Sequence, residues 1–321
     1  MKLLVTGGAG FIGANFIHYM LSRYPTYQVV NLDALTYAGD VSSLSSLRND
    51  VRYSFVQGDI CDRALVDSLM ASCDAVVHFA AESHVDRSIM GPEVCVRTNI
   101  LGTYTLLESA RVHGNKRFHH ISTDEVYGSL TERDAPFSEV TAYDPHSPYS
   151  ASKASSDHLV RAYFHTYGLP VTISNCTNNY GPYQFPEKLL PLVITNLLEN
   201  KKIPIYGDGL QVRDWLYVED HCKAIDVILH KGSLGETYCV GGNNEKKNIE
   251  IVRTILEKLN KSESDVLFVP DRAGHDRRYA ISAHKLTSEL GWKPETTFED
   301  GIEKTILWYK ENILWWQSKK N

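Results

Sequence analysis

Short apolar runs recur along the first half of the chain, each about one strand long: KLLVT at 2–6, QVVNL at 28–32, RYSFV at 52–56, AVVHF at 75–79, FHHIS at 118–122 and VTISN at 171–175. They are rich in β-branched and aromatic residues. Between them lie longer amphipathic stretches: FIGANFIHYMLSRY from 11, RALVDSLMAS from 63, NILGTYTLLESARVHG from 99 and PYSASKASSDHLVRAYFHTYG from 148. Near-continuous apolar strands alternating with helices predict a parallel sheet covered on both faces. The expected class is α/β, a doubly wound Rossmann-type sheet with a smaller interleaved C-terminal lobe. After about residue 178 Pro and Gly punctuate more often, as in YGPYQFPEKLLP, PIYGDG and CVGGNNEKK. The expected division gives 1–178 and 213–241 to the sheet domain, with the YCV run near 238 returning to it. The lobe takes 179–212 and 242–321, with Trp315 and Trp316 covering it.

Composition narrows the classes. The 321 residues suffice for a large core, and a net charge of −6 gives no reason to expect nucleic acid. Six cysteines are scattered with no C-x-x-C pair and no zinc-ligand spacing, so no metal is expected. Unpaired thiols fit a reducing cytoplasm. The most apolar run, LLPLVITNLL, is too short and interrupted to span a bilayer. A glycine motif beginning at Gly7 leaves no room for a signal peptide.

LLVTGGAGFIG places Gly7, Gly10 and Gly13 between a strand and a helix. Gly7 would allow the tight turn, Gly10 the approach of a pyrophosphate, and Gly13 the packing of helix on sheet. The helix N-terminus then offers free N–H groups to phosphates. The next strand ends at Asp33, about twenty residues on, where a carboxylate can accept from both ribose hydroxyls and repel a 2′-phosphate. NAD is therefore expected rather than NADP. Asp59, in VQGDI, is expected at the adenine edge.

HSPYSASKASSDHLV carries a helix start: Ser147 as cap and Pro148 in the first turn, with Gly168 as the stop. Tyr149 and Lys153 then share one face. A free tyrosine has a pKa of about 10, and a nearby ammonium is expected to lower it toward use as a base. Upstream, ISTDEVYG sets Asp124 and Glu125 after a strand end. On their own, adjacent acids there are a solvated turn.

TGGAGFIG with YSASK resembles the extended short-chain dehydrogenase/reductases. FAAESHVDRS, ISTDEVYG, NCTNNYGPYQFPEKLLP, GDGLQVRDWLYVEDH and DRAGHDRRY make the chain similar, over nearly its whole length, to the nucleotide-sugar 4,6-dehydratases within them. Ala273 stands where that family usually carries Pro, and the segment GSLTERDAPFSEVTAYDPHSP is short. The resemblance implies oxidation at C4 of dTDP-glucose, loss of water across C5–C6 and return of hydride to C6. The cofactor is recycled and need not dissociate. Tyr149 takes the C4 proton, with Lys153 beside it, and Thr123 bonds the C4 oxygen. Asp124 is then the acid and Glu125 the base.

By the same resemblance Phe11, Ile12, Ala34, Leu35, Thr36, Ile60, Phe79, Ala80, Ala81, Glu82, Thr98 and Asn179 line the cofactor. Ser83, Asn178, Lys188, Leu189, Pro204, Ile205, Tyr206 and Asn248 contact the substrate. Arg213 and Arg272 hold its diphosphate, and His275 and Tyr279 fall in the last family segment. Helices around 100–112 and 154–166 are implied to form a homodimer face. A nucleotide-sugar C4 epimerase shares the glycines, Tyr and Lys but has no use for an acid–base pair. A non-catalytic NAD sensor has no use for the full set.

Overall fold

The computed structural model describes residues 1–271 and 275–320. Seven parallel strands form the central sheet: β1 (Lys2–Thr6), β2 (Gln28–Asp33), β3 (Tyr53–Gln57), β4 (Ala75–His78), β5 (Arg117–Thr123), β6 (Val171–Cys176) and β10 (Thr237–Val240). Their order is β10-β6-β5-β4-β1-β2-β3. The chain reverses direction between β1 and β4, so a crevice opens beyond the strands' C-terminal ends, where such sheets bind ligands.

Alternation along β1 shows why the sheet is covered twice. Leu4 points to one face with Val66, Leu106, Leu107 and Val160, carried by α2 (Arg63–Met70), α5 (Thr103–Val112) and α6 (Pro148–Tyr167). Leu3 and Val5 point to the other, against Phe16, Ile17, Cys222 and Ile225 of α1 (Phe11–Arg23) and α8 (Val218–Lys231). Strands buried on both faces need no polar alternation, which is why they read as near-continuous apolar runs.

Between β4 and α5 the chain forms α3 (Val85–Met90), α4 (Pro92–Cys95) and a π-helical turn over Val96–Gly102. The sequence pattern predicts one unbroken helix from Asn99. The break coincides with Asn99, which is buried and turned inward to hold Glu82: its Oδ1 accepts the Glu82 N–H at 2.9 Å and its Nδ2 donates to the Glu82 carbonyl at 3.0 Å.

The second lobe contains α7 (Leu189–Leu198), β8 (Ile203–Tyr206), α9 (Asn248–Lys258), β12 (Val266–Val269), α11 (Phe298–Glu311) and α12 (Ile313–Gln317). Its core joins Val193, Ile194, Ile251, Ile255, Ile302 and Tyr309. Trp316 is buried in it and donates from Nε1 to the Tyr309 carbonyl at 2.8 Å, while Trp315 packs on its edge. A short sheet of β7 (Asn178–Tyr180), β9 (Val212–Tyr217) and β11 (Glu245–Lys247) stands between lobe and central sheet. Helix α10 (His284–Leu290) packs its Leu286 with Tyr238 of β10.

Candidate active site

A cleft of about 350 Å³ opens over the C-terminal ends of β1, β2, β4 and β5. The three glycines have distinct duties there. Gly7 has φ +72°, and a Cβ on it would stand 2.5 Å from the Ala80 backbone nitrogen. A Cβ on Gly13 would meet the Gly7 carbonyl oxygen at 2.4 Å. Gly10 faces open space, with only that same oxygen near, at 3.2 Å. The loop is thus tight at its two ends and bare where α1 begins, as a pyrophosphate cradle requires.

Asp33 closes the ribose end. It accepts the Ala9 N–H at 2.9 Å and the Leu35 N–H at 2.8 Å, one on each oxygen. Burial raises its pKa, while those two N–H groups oppose the shift. Leu35 adopts φ 53° to make its contact; it supports the carboxylate while Ala34 and Thr36 line the wall. Phe11, Ile12, Asp59, Ile60, Phe79, Ala80, Ala81, Glu82, Thr98 and Asn179 share the lining. Asp59 is engaged by Arg97 at 2.7 Å and by the Cys61 N–H at 2.8 Å. The bare turn, the helix start and the Asp33 carboxylate fit NAD.

The other end of the cleft collects Ser83, Thr123, Asp124, Glu125, Tyr149, Lys153, Asn178 and Lys188. Tyr149 is placed by the start of α6. Ser147 accepts the Ser150 N–H at 3.1 Å and donates its own N–H to Ser150 Oγ at 3.0 Å, with Pro148 in the first turn. Such a cap contributes about 1 kcal/mol. Gly168, at φ 68°, ends the helix.

Thr123 closes β5, and its Oγ accepts the Glu125 N–H at 3.2 Å, bending Asp124–Tyr127 into a 3-10 turn. This turn is not solvated at Asp124, which is 2% exposed. Asp124 Oδ2 has no hydrogen-bond partner among the described residues. Burial pushes its carboxyl up to about 8, and the Glu125 charge adds to the rise. Arg213 and the Thr177 hydroxyl pull the other way without reversing it. At neutral pH Asp124 is a neutral acid able to donate a proton.

One expectation is corrected. Burial, with the Glu125 charge next, drives Tyr149 well above 10; the Thr123 hydroxyl opposes it. Lys153 stands on the same wall, its Nζ donating to the Ile121 carbonyl at 2.7 Å and lying 3.3 Å from His120 Nε2. Four residues along one helix face bring the two side chains to one cleft wall, but the ammonium is directed toward β5.

The remaining predicted substrate residues that the structure describes lie outside the cleft lining. Strand β8 alternates, so Ile205 is buried in the lobe core while Pro204 is half-buried and Tyr206 is exposed. Leu189 begins α7 and packs against the same core. Arg213 is buried, stacks 4.2 Å over the Tyr279 ring and donates to the Asp276 carbonyl at 3.0 Å. Tyr206 meets the His275 ring edge-on. Asn248 starts α9 with its Oδ1 buried. Arg213 and Tyr279 adjoin the acid pair, since Asp124 feels the Arg213 charge and Tyr279 the Glu125 charge. Arg272 and Ala273 fall outside the described residues.

Residue-by-residue reading missed Tyr37, Arg87, Phe185 and Glu187, which meet across the cleft mouth. The Arg87 guanidinium stacks 4.0 Å over Tyr37 and bonds Glu187 at 3.3 Å; Phe185 meets Tyr37 edge-on. Arg87, Phe185 and Glu187 lie inside family segments, but their types alone carry no chemistry at those positions.

A dinucleotide cradle with Tyr149 and Lys153 over its far end defines an extended short-chain dehydrogenase/reductase. The model of the GDP-mannose 4,6 dehydratase family matches residues 4–305. An Escherichia coli dTDP-glucose 4,6-dehydratase is 55% identical across 100% of this chain and 96% of its own length. The Streptomyces venezuelae dTDP-glucose 4,6-dehydratase DesIV, solved with NAD bound, is 49% identical with TM-score 0.97 over 99% of this chain and 100% of that one. The Bacillus anthracis dTDP-glucose 4,6-dehydratase, solved in complex with NAD, is 50% identical with TM-score 0.93, over 99% of each chain. The chain belongs to the dTDP-glucose 4,6-dehydratases.

Proposed function

We propose that the protein is an NAD-dependent dehydratase that converts dTDP-glucose to dTDP-4-keto-6-deoxyglucose. The observation that carries this reading is a buried neutral acid, Asp124, next to a partly exposed Glu125 in the cleft that also holds Tyr149 and Lys153. The glycine turn and Asp33 would hold the cofactor. NAD, when bound, supplies the acceptor for the hydride leaving C4 and the donor that returns it to C6.

The chain's own groups handle the protons. Tyr149 takes the C4 hydroxyl proton, and Thr123 donates to the C4 oxygen. A phenol held well above 10 serves as a base near neutrality only with positive charge close by, which is why Lys153 must stay ionised. The C4 ketone acidifies the C5 hydrogen, which Glu125 removes as a proton. Asp124 gives its proton to the departing C6 hydroxyl, so one water leaves and a C5–C6 double bond forms; Glu125 then gives its proton back to C5 as hydride returns to C6. Each transfer is worth about 10²–10⁴-fold in rate. Arg213, with its fork of N–H donors, and Arg272 suit the diphosphate.

We infer a homodimer through the helices around 100–112 and 154–166, together with the segment from 90 that leads into the first. Met90 is 88% exposed there, and Val94, Val96, Leu101 and Tyr104 are exposed beside it, an apolar row that water alone does not favour. Sedimentation at a mass of two chains supports this; a single chain at micromolar concentration contradicts it. The cytoplasm is the compartment we propose, on six unpaired thiols; among the described residues no helix is long and apolar enough to cross a membrane.

Incubation with dTDP-glucose tests the reaction. Product lighter by one water supports it. Unchanged mass with inverted C4 points to epimerisation, and unchanged substrate to a sensor.

A further inference from the structure

Beneath the cleft floor three buried titratable side chains meet at one nitrogen. His120 Nε2 lies 3.3 Å from Lys153 Nζ, 3.3 Å from Asp157 Oδ1 and 3.2 Å from Ser156 Oγ. Lys153 is 4% exposed, and His120 and Asp157 are 0% exposed. The Ser156 hydroxyl gives its proton to the Lys153 carbonyl at 2.8 Å, so a lone pair faces the ring. The second Asp157 oxygen accepts from Ser122 at 2.9 Å, Tyr143 at 2.8 Å and Asn175 at 3.3 Å. The proposed reaction uses neither His120 nor Asp157.

A single ring nitrogen cannot serve all these neighbours in one state. Bare, it accepts from the ammonium. Protonated, it donates to Asp157 and faces a neutral amine. A buried ammonium without a counter-charge reverts to the amine. Facing Lys153 are His120 from β5, Cys176 from β6, His78 from β4, and Asp157 from its own helix, with Tyr149 on the same wall. Burial holds the Cys176 thiol up at about 12 and both histidines down, His120 at about 4, so all three are uncharged near neutrality. Asp157 is the ionised one: burial raises it, but His120, Lys153 and Tyr143 together bring it below the usual carboxylate range. Burial lowers Lys153 to about 8, and the Asp157 charge opposes that fall.

We propose that the Asp157 carboxylate, acting by its charge while the bare Nε2 of neutral His120 accepts from Nζ, is a positioning residue that keeps Lys153 an ammonium at the cleft floor, where Tyr149 needs positive charge. This rests on the dehydration proposed above, and makes Lys153 share with Asp124 the upper pH limit of that reaction.

The test is the pH profile of kcat/KM for dTDP-glucose in the full-length enzyme. In Asp157→Asn the alkaline limb should move down by about one unit or more, below the Asp124 titration, with the acid limb unmoved. An unmoved alkaline limb in the folded variant overturns the proposal. If melting shows that Asp157→Asn does not fold, His120→Leu and His120→Gln carry the test. Leu should move the limb. Gln, which can accept from Lys153 and donate to Asp157, should restore it, and equal limbs in the two overturn the proposal. Failure of the reaction itself is distinguishable, since the parent would then release no water at any pH.

Discussion

Asp124 follows the end of β5, and Asp157 bonds to that strand from α6 through Ser122. Both are sealed from water, at 2% and 0% exposure, yet they are held in opposite states. Asp124 has a long contact from Thr123 Oγ at 3.3 Å, the Thr177 hydroxyl beside it, and a negative neighbour in Glu125. Asp157 has three donors on one oxygen and a lysine and histidine beside the other. Burial penalises charge at both sites; the donors and neighbouring charges decide which aspartate keeps its proton. The same short strand end therefore offers an acid above and a counter-charge below.

The largest expected effect comes from removing the acid. Asp124→Asn should slow water elimination by about 10²–10⁴-fold while C4 oxidation continues, so absorbance of reduced cofactor should accumulate. Elimination at the parent rate would remove Asp124 from that role. Tyr149→Phe should suppress the first oxidation itself, and normal formation of reduced cofactor in that variant would exclude the phenol.

Stability sharpens the contrast, because the two aspartates have opposite signs. Asp124 has a raised folded pKa, so between pH of about 4 and about 8 the native state binds the extra proton and stability falls as pH rises. In Asp124→Asn that decline should flatten, seen as a shallower fall of Tm across the window. Asp157 has a lowered folded pKa; its contribution is present above about 4 and is lost as pH falls through the folded value. Tyr143→Phe removes one donor to that carboxylate and should cost about 1.5–3 kcal/mol at pH 7, read by urea unfolding, with a smaller loss in acid. The smallest expected effect is Ser147→Ala, about 1 kcal/mol, lost from the helix that carries both Tyr149 and Asp157.

The two halves of the cleft were not equally readable from sequence. Gly7, Gly10 and Gly13 act through backbone geometry set within one strand–turn–helix unit, and Asp33 ends the next strand, so spacing alone carries their meaning. Ser147, Pro148 and Gly168 mark α6 for the same reason. Asp124 was readable as a residue type but not as a state. Its environment is assembled from Thr177, Arg213 and Asp214, which the chain brings in from β6 onward. The link from Lys153 to His120 and Asp157 was invisible, because it depends on α6 lying across β5. The π turn at Val96–Gly102 and the inward register of Ile205 were likewise settled by tertiary packing. Arg213, His275 and Tyr279 come from separate segments and carried meaning only through family likeness.

Infrared difference spectra between the parent and Asp124→Asn, followed from pH 5 to pH 10, test the protonation of the acid most directly. A carbonyl band of a protonated carboxyl should be present in the parent, absent in the variant, and disappear with a midpoint near 8. A band that is missing at pH 6, or that titrates near 4, would contradict a neutral Asp124 and with it the proton donor for the departing hydroxyl.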